Sequence, residues 1–260
     1  MKTLVISGGS SGIGKATASL FTERGWRVFE LSRHGADCDG ITHIDCDVSD
    51  SDATRKAIEQ VMQLTDHIDV VISNAGFGIS GSVEFTDIAD LERQVDVNFT
   101  GAVRFTQAVL PQLRKQHYGR IIYTSSVAAI LPVPYQAFYS ASKAAINAMA
   151  LALANEVKPF GISVSVMMPG DVSTGFTDAR HKSTAGEEVY TGAAKALKTM
   201  EHDERGGMEP VQMAKLFYHI ATCPCPRPQY VGGFGYRVLC FLDRLLPKRF
   251  VNWIEYKVYS

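Results

Sequence analysis

Lys2-Thr3-Leu4-Val5-Ile6-Ser7-Gly8-Gly9-Ser10-Ser11-Gly12-Ile13-Gly14 is a short, mostly β-branched run that breaks into glycines, and residues 15–24 then read as a helix closed by Gly25. In a strand, glycine turn and helix of this order, the turn lets backbone approach a bound group closely. The N–H groups and dipole at the helix N-terminus favour a pyrophosphate there. The spacing is G-x-x-x-G-x-G, unlike the G-x-G-x-x-G of the common dinucleotide fingerprint. A glycine-rich turn without a ligand is the competing reading, and the flanking strand and helix argue against it.

The same rhythm continues along the chain. Strands are predicted at residues 27–32, 41–46, 69–73, 120–124 and 162–168, with a last short one at 229–233. Helices are predicted at 52–64, through most of 87–117 with a break near Asn98, at 144–157 and at 210–221. Strands alternating with helices predict an α/β fold with a doubly wound parallel sheet, in a single domain spanning residues 1–233. Ligands of such sheets bind at the carboxyl ends of the strands. Asp47-Val48, Asn74-Ala75-Gly76, Ser125-Ser126 and Pro169-Gly170 all fall there. The second strand ends in Ser32-Arg33. An acidic residue at that place would accept the ribose 2′-OH of NAD, whereas an arginine pairs with the 2′-phosphate of NADP. Arg33 therefore points to NADP(H). Glu30, two residues earlier, is expected to face the flank of the sheet.

Composition narrows the partners. The 260 residues are 46% hydrophobic and 20% charged, with 26 basic against 27 acidic side chains. That balance leaves no basic footprint for nucleic acid. No apolar run has the length of a signal peptide or a membrane span. The 5 cysteines lack paired or zinc-type spacing, which predicts reduced thiols in a cytoplasm and no metal site.

Tyr139 and Lys143 stand four residues apart at the head of a helical run, on one helix face. A cation beside a phenol favours the phenolate, so Tyr139 becomes a candidate for passing a proton to or from a substrate oxygen. Residues 175–207 are polar and read as a lid, with a helix near 192–200. Residues 234–260 form an apolar, aromatic and basic extension in which Val238, Phe241, Leu242 and Leu245 make a helical stripe ending at Pro247. This tail has three readings: packing on its own domain or a second subunit, walling a hydrophobic substrate, or weak contact with a membrane surface.

Taken together, the glycine turn Gly8 to Gly14, Asp47-Val48, Asn74-Ala75-Gly76, Asn98, Ser126, Tyr139 with Lys143, and Pro169-Gly170 resemble the short-chain dehydrogenase/reductase family in order and spacing. The resemblance spans about residues 2–233. Ser7 departs from the usual threonine and Ser73 from the usual asparagine. It implies a Rossmann-like fold in which Gly8, Ser10, Ser11, Gly12, Ile13 and Gly14 hold the pyrophosphate. Arg33, Asp47 and Val48 would meet the adenosine end. Asn74, Ala75, Gly76, Pro169, Gly170, Val172 and Thr174 would line the rest of the cofactor path. The same resemblance implies reversible hydride transfer between a ketone and a secondary alcohol. Ser126, rather than Ser125, would hold the substrate oxygen, and Tyr139 would move the proton. Lys143 would bind the nicotinamide ribose and lower the Tyr139 pKa, and Asn98 would hold a water linking Lys143 to solvent. Homodimers or homotetramers are implied, and the substrate would be a hydrophobic small molecule of steroid, retinoid or acyl-glycerone type. The competing classes are a redox sensor that binds NADP(H) without chemistry, a reductase of small carbonyl compounds, and an enzyme acting on nucleotide sugars. The last has little room here for its larger substrate domain.

Overall fold

The structure is a computed structural model that describes residues 1–38 and 40–259. Strand β1 (Thr3–Ser7) leads through the glycine turn into α1 (Gly12–Glu23), followed by β2 (Arg27–Ser32), β3 (Ile41–Asp45), α2 (Ser51–Leu64) and β4 (Val70–Ser73). After β5 (Ile79–Ser80) come α3 (Ile88–Val95) and α4 (Gly101–Gln116), joined by a π-helical turn, Asp96–Thr100. The chain continues through β6 (Gly119–Thr124), α5 (Ala137–Glu156), β7 (Ile162–Pro169), α6 (Phe176–Ala179), β8 (His181–Lys182), α7 (Ala193–Arg205) and α8 (Pro210–Thr222). It closes with β9 (Gln229–Gly232), α9 (Phe234–Leu245) and α10 (Lys248–Tyr259).

Seven strands form one sheet in the order β3-β2-β1-β4-β6-β7-β9, every pairing parallel. Parallel strands need covered faces, and alternate residues divide between the two. Val5, Phe29, Val71, Ile121 and Val166 pack with α2, α4 and α5, whereas Leu4, Ile6, Val28, Ile72, Ile122 and Met167 pack with α1 and α8. The order reverses direction at β1 and β4, so the carboxyl ends of these strands flank the crevice where doubly wound sheets bind ligands.

Two local features place the site. Helix α5 begins at Ala137, seven residues earlier than its apolar pattern suggests, and so carries both Tyr139 and Lys143. Gln136 offers no side-chain cap, which leaves that start without a sequence signal. The predicted lid is structured: β8 pairs with β5 in a second, two-stranded sheet, and α10 of the tail packs against α7.

Candidate active site

One cavity of about 730 Å³ opens at the carboxyl ends of β1, β4, β6 and β7. Its wall includes the predicted residues Gly8, Ser11, Gly12, Ile13, Asn74, Ala75, Gly76, Ser126, Tyr139, Lys143, Pro169, Gly170, Val172 and Thr174. Ser10, Gly14, Arg33, Asp47, Val48 and Asn98 lie outside that wall.

The glycine turn is built from main chain. Gly8 and Gly12 take φ of +66° and +51°, conformations open to glycine at no steric cost. A Cβ at Gly14 would overlap the Gly8 carbonyl oxygen and lie 2.7 Å from Asn74 Nδ2, so α1 seats directly on the turn. Ser7 Oγ accepts the N–H groups of Asn74 (3.0 Å) and Ala75 (3.2 Å). Asn74 Nδ2 donates to Gly8 O at 2.9 Å, and Thr124 Oγ1 donates to Asn74 Oδ1 at 3.1 Å. One asparagine thus ties the turn to β6.

At the adenosine end, Glu30 is buried with its Oε2 2.6 Å from His43 Nδ1, and its side chain packs against Gly9 of the glycine turn rather than away from it. Arg33 is exposed at the end of β2 and makes no hydrogen bond or ion pair among the described residues. Burial pushes Asp47 up, but hydrogen bonds from Ser49 and the charges of Arg33 and Arg104 outweigh it and hold the carboxyl below its ordinary value.

The two serines at the end of β6 divide their work. Ser125 is buried and donates to Lys143 O at 3.0 Å, a bond that ties β6 to α5. Ser126 Oγ accepts the Ala128 N–H at 3.1 Å and lines the cavity with Tyr139. Lys143 Nζ lies 5.8 Å from the centre of the Tyr139 ring and donates to Thr124 O at 3.0 Å. Burial lowers the Lys143 ammonium to about 8. Burial likewise pushes the Tyr139 phenol up to about 12, against the opposing effect of Ser126. In the protein alone the phenol thus shifts opposite to the lowering expected from Lys143, because its burial sets the direction.

Asn98 is buried beside α5. Its Oδ1 accepts the Phe77 N–H at 2.9 Å, and its Nδ2 donates to Phe77 O at 3.0 Å and Ser142 Oγ at 3.1 Å. These bonds clamp the Phe77 loop to α5 and leave Oδ1 a second lone pair. The π-helical turn around it accounts for an asparagine in a helical region.

Several wall residues carried no local sequence signal. Phe176 packs on Tyr139 with ring centres 5.8 Å apart. Arg180, its side chain wholly buried, pairs with Glu204, which also accepts from Thr177 Oγ1 at 2.7 Å, so the lid helices α6 and α7 are latched beside Tyr139. The Tyr236 ring covers Gly170, and its hydroxyl donates to Asp171. From the tail, Leu239, Leu242, Leu246, Val251, Ile254 and Val258 complete the wall, so the segment packs on its own domain and lines the cavity. Among the described residues, Lys143 is the one basic side chain on this wall, against the carboxylates Asp171, Asp203, Glu204, Asp243 and Glu255.

With this geometry, residues 2–185 match the family model of short chain dehydrogenases. The chain belongs to the short-chain dehydrogenase/reductase family. It is 41% identical over 223 residues to the 3-ketodihydrosphingosine reductase of Bacteroides thetaiotaomicron, covering 84% of this chain and 83% of that protein. A probable short-chain type dehydrogenase/reductase of Helicobacter pylori, VdlC, is 32% identical over 262 residues, covering 96% and 94%. Among solved structures, a short-chain dehydrogenase from Streptomyces avermitilis superposes with a TM-score of 0.84 at 26% identity, covering 94% and 93% of the two chains. The protein is thus an oxidoreductase of the family that interconverts alcohol and carbonyl groups with a nicotinamide nucleotide. The site fits such a cofactor on its own terms. Gly12 faces the cavity, where a Cβ would meet only Thr174, at 3.5 Å and beyond. The buried Lys143 ammonium spends one donor on Thr124 O and keeps others for a ribose hydroxyl.

Proposed function

We propose that this protein is an NADP(H)-dependent reductase of a long-chain lipid ketone bearing an amino group. The observation that carries the reading is that one cavity is lined both by Ser126, Tyr139 and Lys143 and by apolar tail side chains. The 41% identity to a 3-ketodihydrosphingosine reductase supports the substrate class. The acidic wall supports the amino group: with Glu204 paired to Arg180 and Asp243 to Lys248, Asp171, Asp203 and Glu255 remain to favour a cation in a low-dielectric cavity. Arg33, exposed and unpaired among the described residues, supports NADPH over NADH.

In this reading the cofactor, when bound, supplies the hydride. Ser126 donates a hydrogen bond to the substrate oxygen and stabilises the charge developing there. Tyr139, held as a neutral phenol, donates the proton in reduction and accepts it in oxidation. Lys143 binds the ribose. Gly8 to Gly14, with Ser10 and Ser11, hold the pyrophosphate, and Asp47 and Val48 the adenine. The 5 free cysteines support a reducing, cytoplasmic setting. Pairing of copies through α4 and α5 follows the family habit.

NADPH oxidation with 3-ketodihydrosphingosine, followed in wild type and Tyr139→Phe, tests the reading. The expected result is turnover in wild type and a loss of about 10²–10⁴-fold in the variant with NADPH binding retained. Wild-type rates in the variant would sink the mechanism.

A further inference from the structure

We infer that α9 and α10 form an interfacial dock for an anionic lipid bilayer, with the cavity mouth opening on the docked side. The inference rests on the lipid-ketone reading for its purpose, but not for its test.

More than half of the chain's exposed large apolar side chains fall between residues 234 and 258. Along α9, Phe234, Val238, Phe241 and Leu245 repeat at helical spacing, are 80%, 41%, 60% and 65% exposed, and leave an apolar stripe without cover. Along α10, Phe250, Trp253 and Tyr256 are exposed together, with the first two rings stacked. Aromatic rings of this kind sit at the headgroup level of membranes.

Charge supplies the partner. The basic residues of the two helices, Arg237, Arg244, Lys248, Arg249 and Lys257, are all exposed; Lys248 is paired with Asp243, and the other four make no ion pair among the described residues. Their acidic residues, Asp243 and Glu255, turn into the cavity wall, where burial pushes Glu255 up. A chain with a net charge of -1 thus carries a local face that is only cationic and apolar. A second copy would bring the same four unpaired cations against their equivalents, whereas an anionic headgroup layer complements them. Each helix has 12 residues, roughly 18 Å by its rise, too short to cross a hydrocarbon core of about 30 Å, so the helices lie in the interface.

Continuity with the cavity supplies the purpose. Leu239, Leu242, Ile254 and Val258 line the cavity and yet are 39–49% exposed, so they form its lip on the same two helices. A long-chain ketone can pass from the bilayer over this lip towards Tyr139 with little apolar surface exposed to water, which saves about 0.8 kcal/mol per CH₂.

The test is co-sedimentation of the full-length protein with vesicles of phosphatidylcholine alone or mixed with phosphatidylglycerol. Binding is expected to the mixed vesicles, to fall with added salt, and to drop about fivefold for each of Arg249→Gln and Lys257→Gln. The double variant Phe241→Ser, Trp253→Ser is expected to lose binding tenfold or more on apolar grounds. It should keep wild-type turnover of a small water-soluble ketone, which also reports that it is folded, and lose turnover of vesicle-embedded 3-ketodihydrosphingosine. Equal sedimentation with both vesicle types, or unchanged binding in the double variant, would overturn the inference. So would a dimer that this variant dissociates, found without vesicle binding, since the face would then be an interface between copies. Absence of turnover on every ketone beside normal vesicle binding would strike the functional reading and leave the dock standing.

Discussion

At the glycine turn the cavity wall is main chain packed on main chain, and at the tail it is side chains half open to solvent. Gly8, Gly12 and Gly14 bring β1, α1 and Asn74 so close that a single methyl group has no place at Gly14. Leu239, Leu242, Ile254 and Val258, at the other end, keep much of their surface exposed. The first construction suits a ligand that never changes, because backbone donors cannot be altered by substitution. The second suits a site whose shape is tuned side chain by side chain. If the contrast holds, the smallest possible change at the turn should do more harm than larger ones at the substrate end.

Gly14→Ala is the severest test. The added Cβ would overlap the Gly8 carbonyl oxygen, and rigid backbone on both sides cannot yield. We expect a destabilisation of about 3 kcal/mol or more and loss of NADPH binding, read by denaturant unfolding and by nicotinamide fluorescence. A variant that binds NADPH normally would show that the turn has slack and would break the contrast.

The same contrast explains how much of the molecule was legible beforehand. Strand, turn and helix at residues 2–24 are set by local backbone chemistry, and β2 was bounded correctly at Arg27–Ser32 by its apolar run. The parallel order followed from alternation alone. The start of α5 was missed because Gln136 offers no cap, and β5 and β8, two residues each, are too short to show a period. At the site, the serine spacing favoured Ser126, and the structure leaves that side chain facing the cavity while Ser125 is spent on Lys143 O. Arg180 and Glu204 meet across 24 positions, a pairing that only tertiary structure creates. The direction of the Tyr139 shift was misread for a related reason. Helical spacing reports which groups are neighbours, whereas the shift depends on how deeply both are buried.

Lys143→Met probes the junction of the two halves, with activity and stability moving in opposite directions. Turnover should fall about 10²-fold or more, as the ribose contact and the charge beside Tyr139 are lost. Stability should rise at neutral pH. The Lys143 pKa falls from 10.5 to about 8 on folding, so between those values the unfolded chain binds more protons and stability climbs with pH. At neutral pH the buried cation therefore costs of order 3 kcal/mol, at ~1.4 kcal/mol per pKa unit, and methionine removes that cost. Thermal unfolding of wild type across the alkaline range should show the climb, and the variant should lack it. A variant less stable than wild type would mean that the Thr124 O hydrogen bond outweighs desolvation.

Asp203→Asn, at the adjustable end, should have the smallest effect and the most selective one. Asp203 is exposed on α7 at the cavity wall, and its charge helps raise Asp171, whose largest cause is burial. Removing one screened carboxylate should raise KM for 3-ketodihydrosphingosine about two- to fivefold, on the scale of exposed ion pairs, and leave kcat unchanged. The N-acetylated ketone, which has no cation, should not respond. Burial raises Asp171 and Glu255 from their ordinary values, so they lose their charge earlier as the solution is acidified than they would in water. KM for the amino ketone should therefore rise on acidification before ordinary carboxylates near pH ~4 protonate, with KM for the acetylated ketone flat over the same range. Equal responses from the two ketones would remove the amine from the substrate assignment and leave the apolar wall as the sole selector.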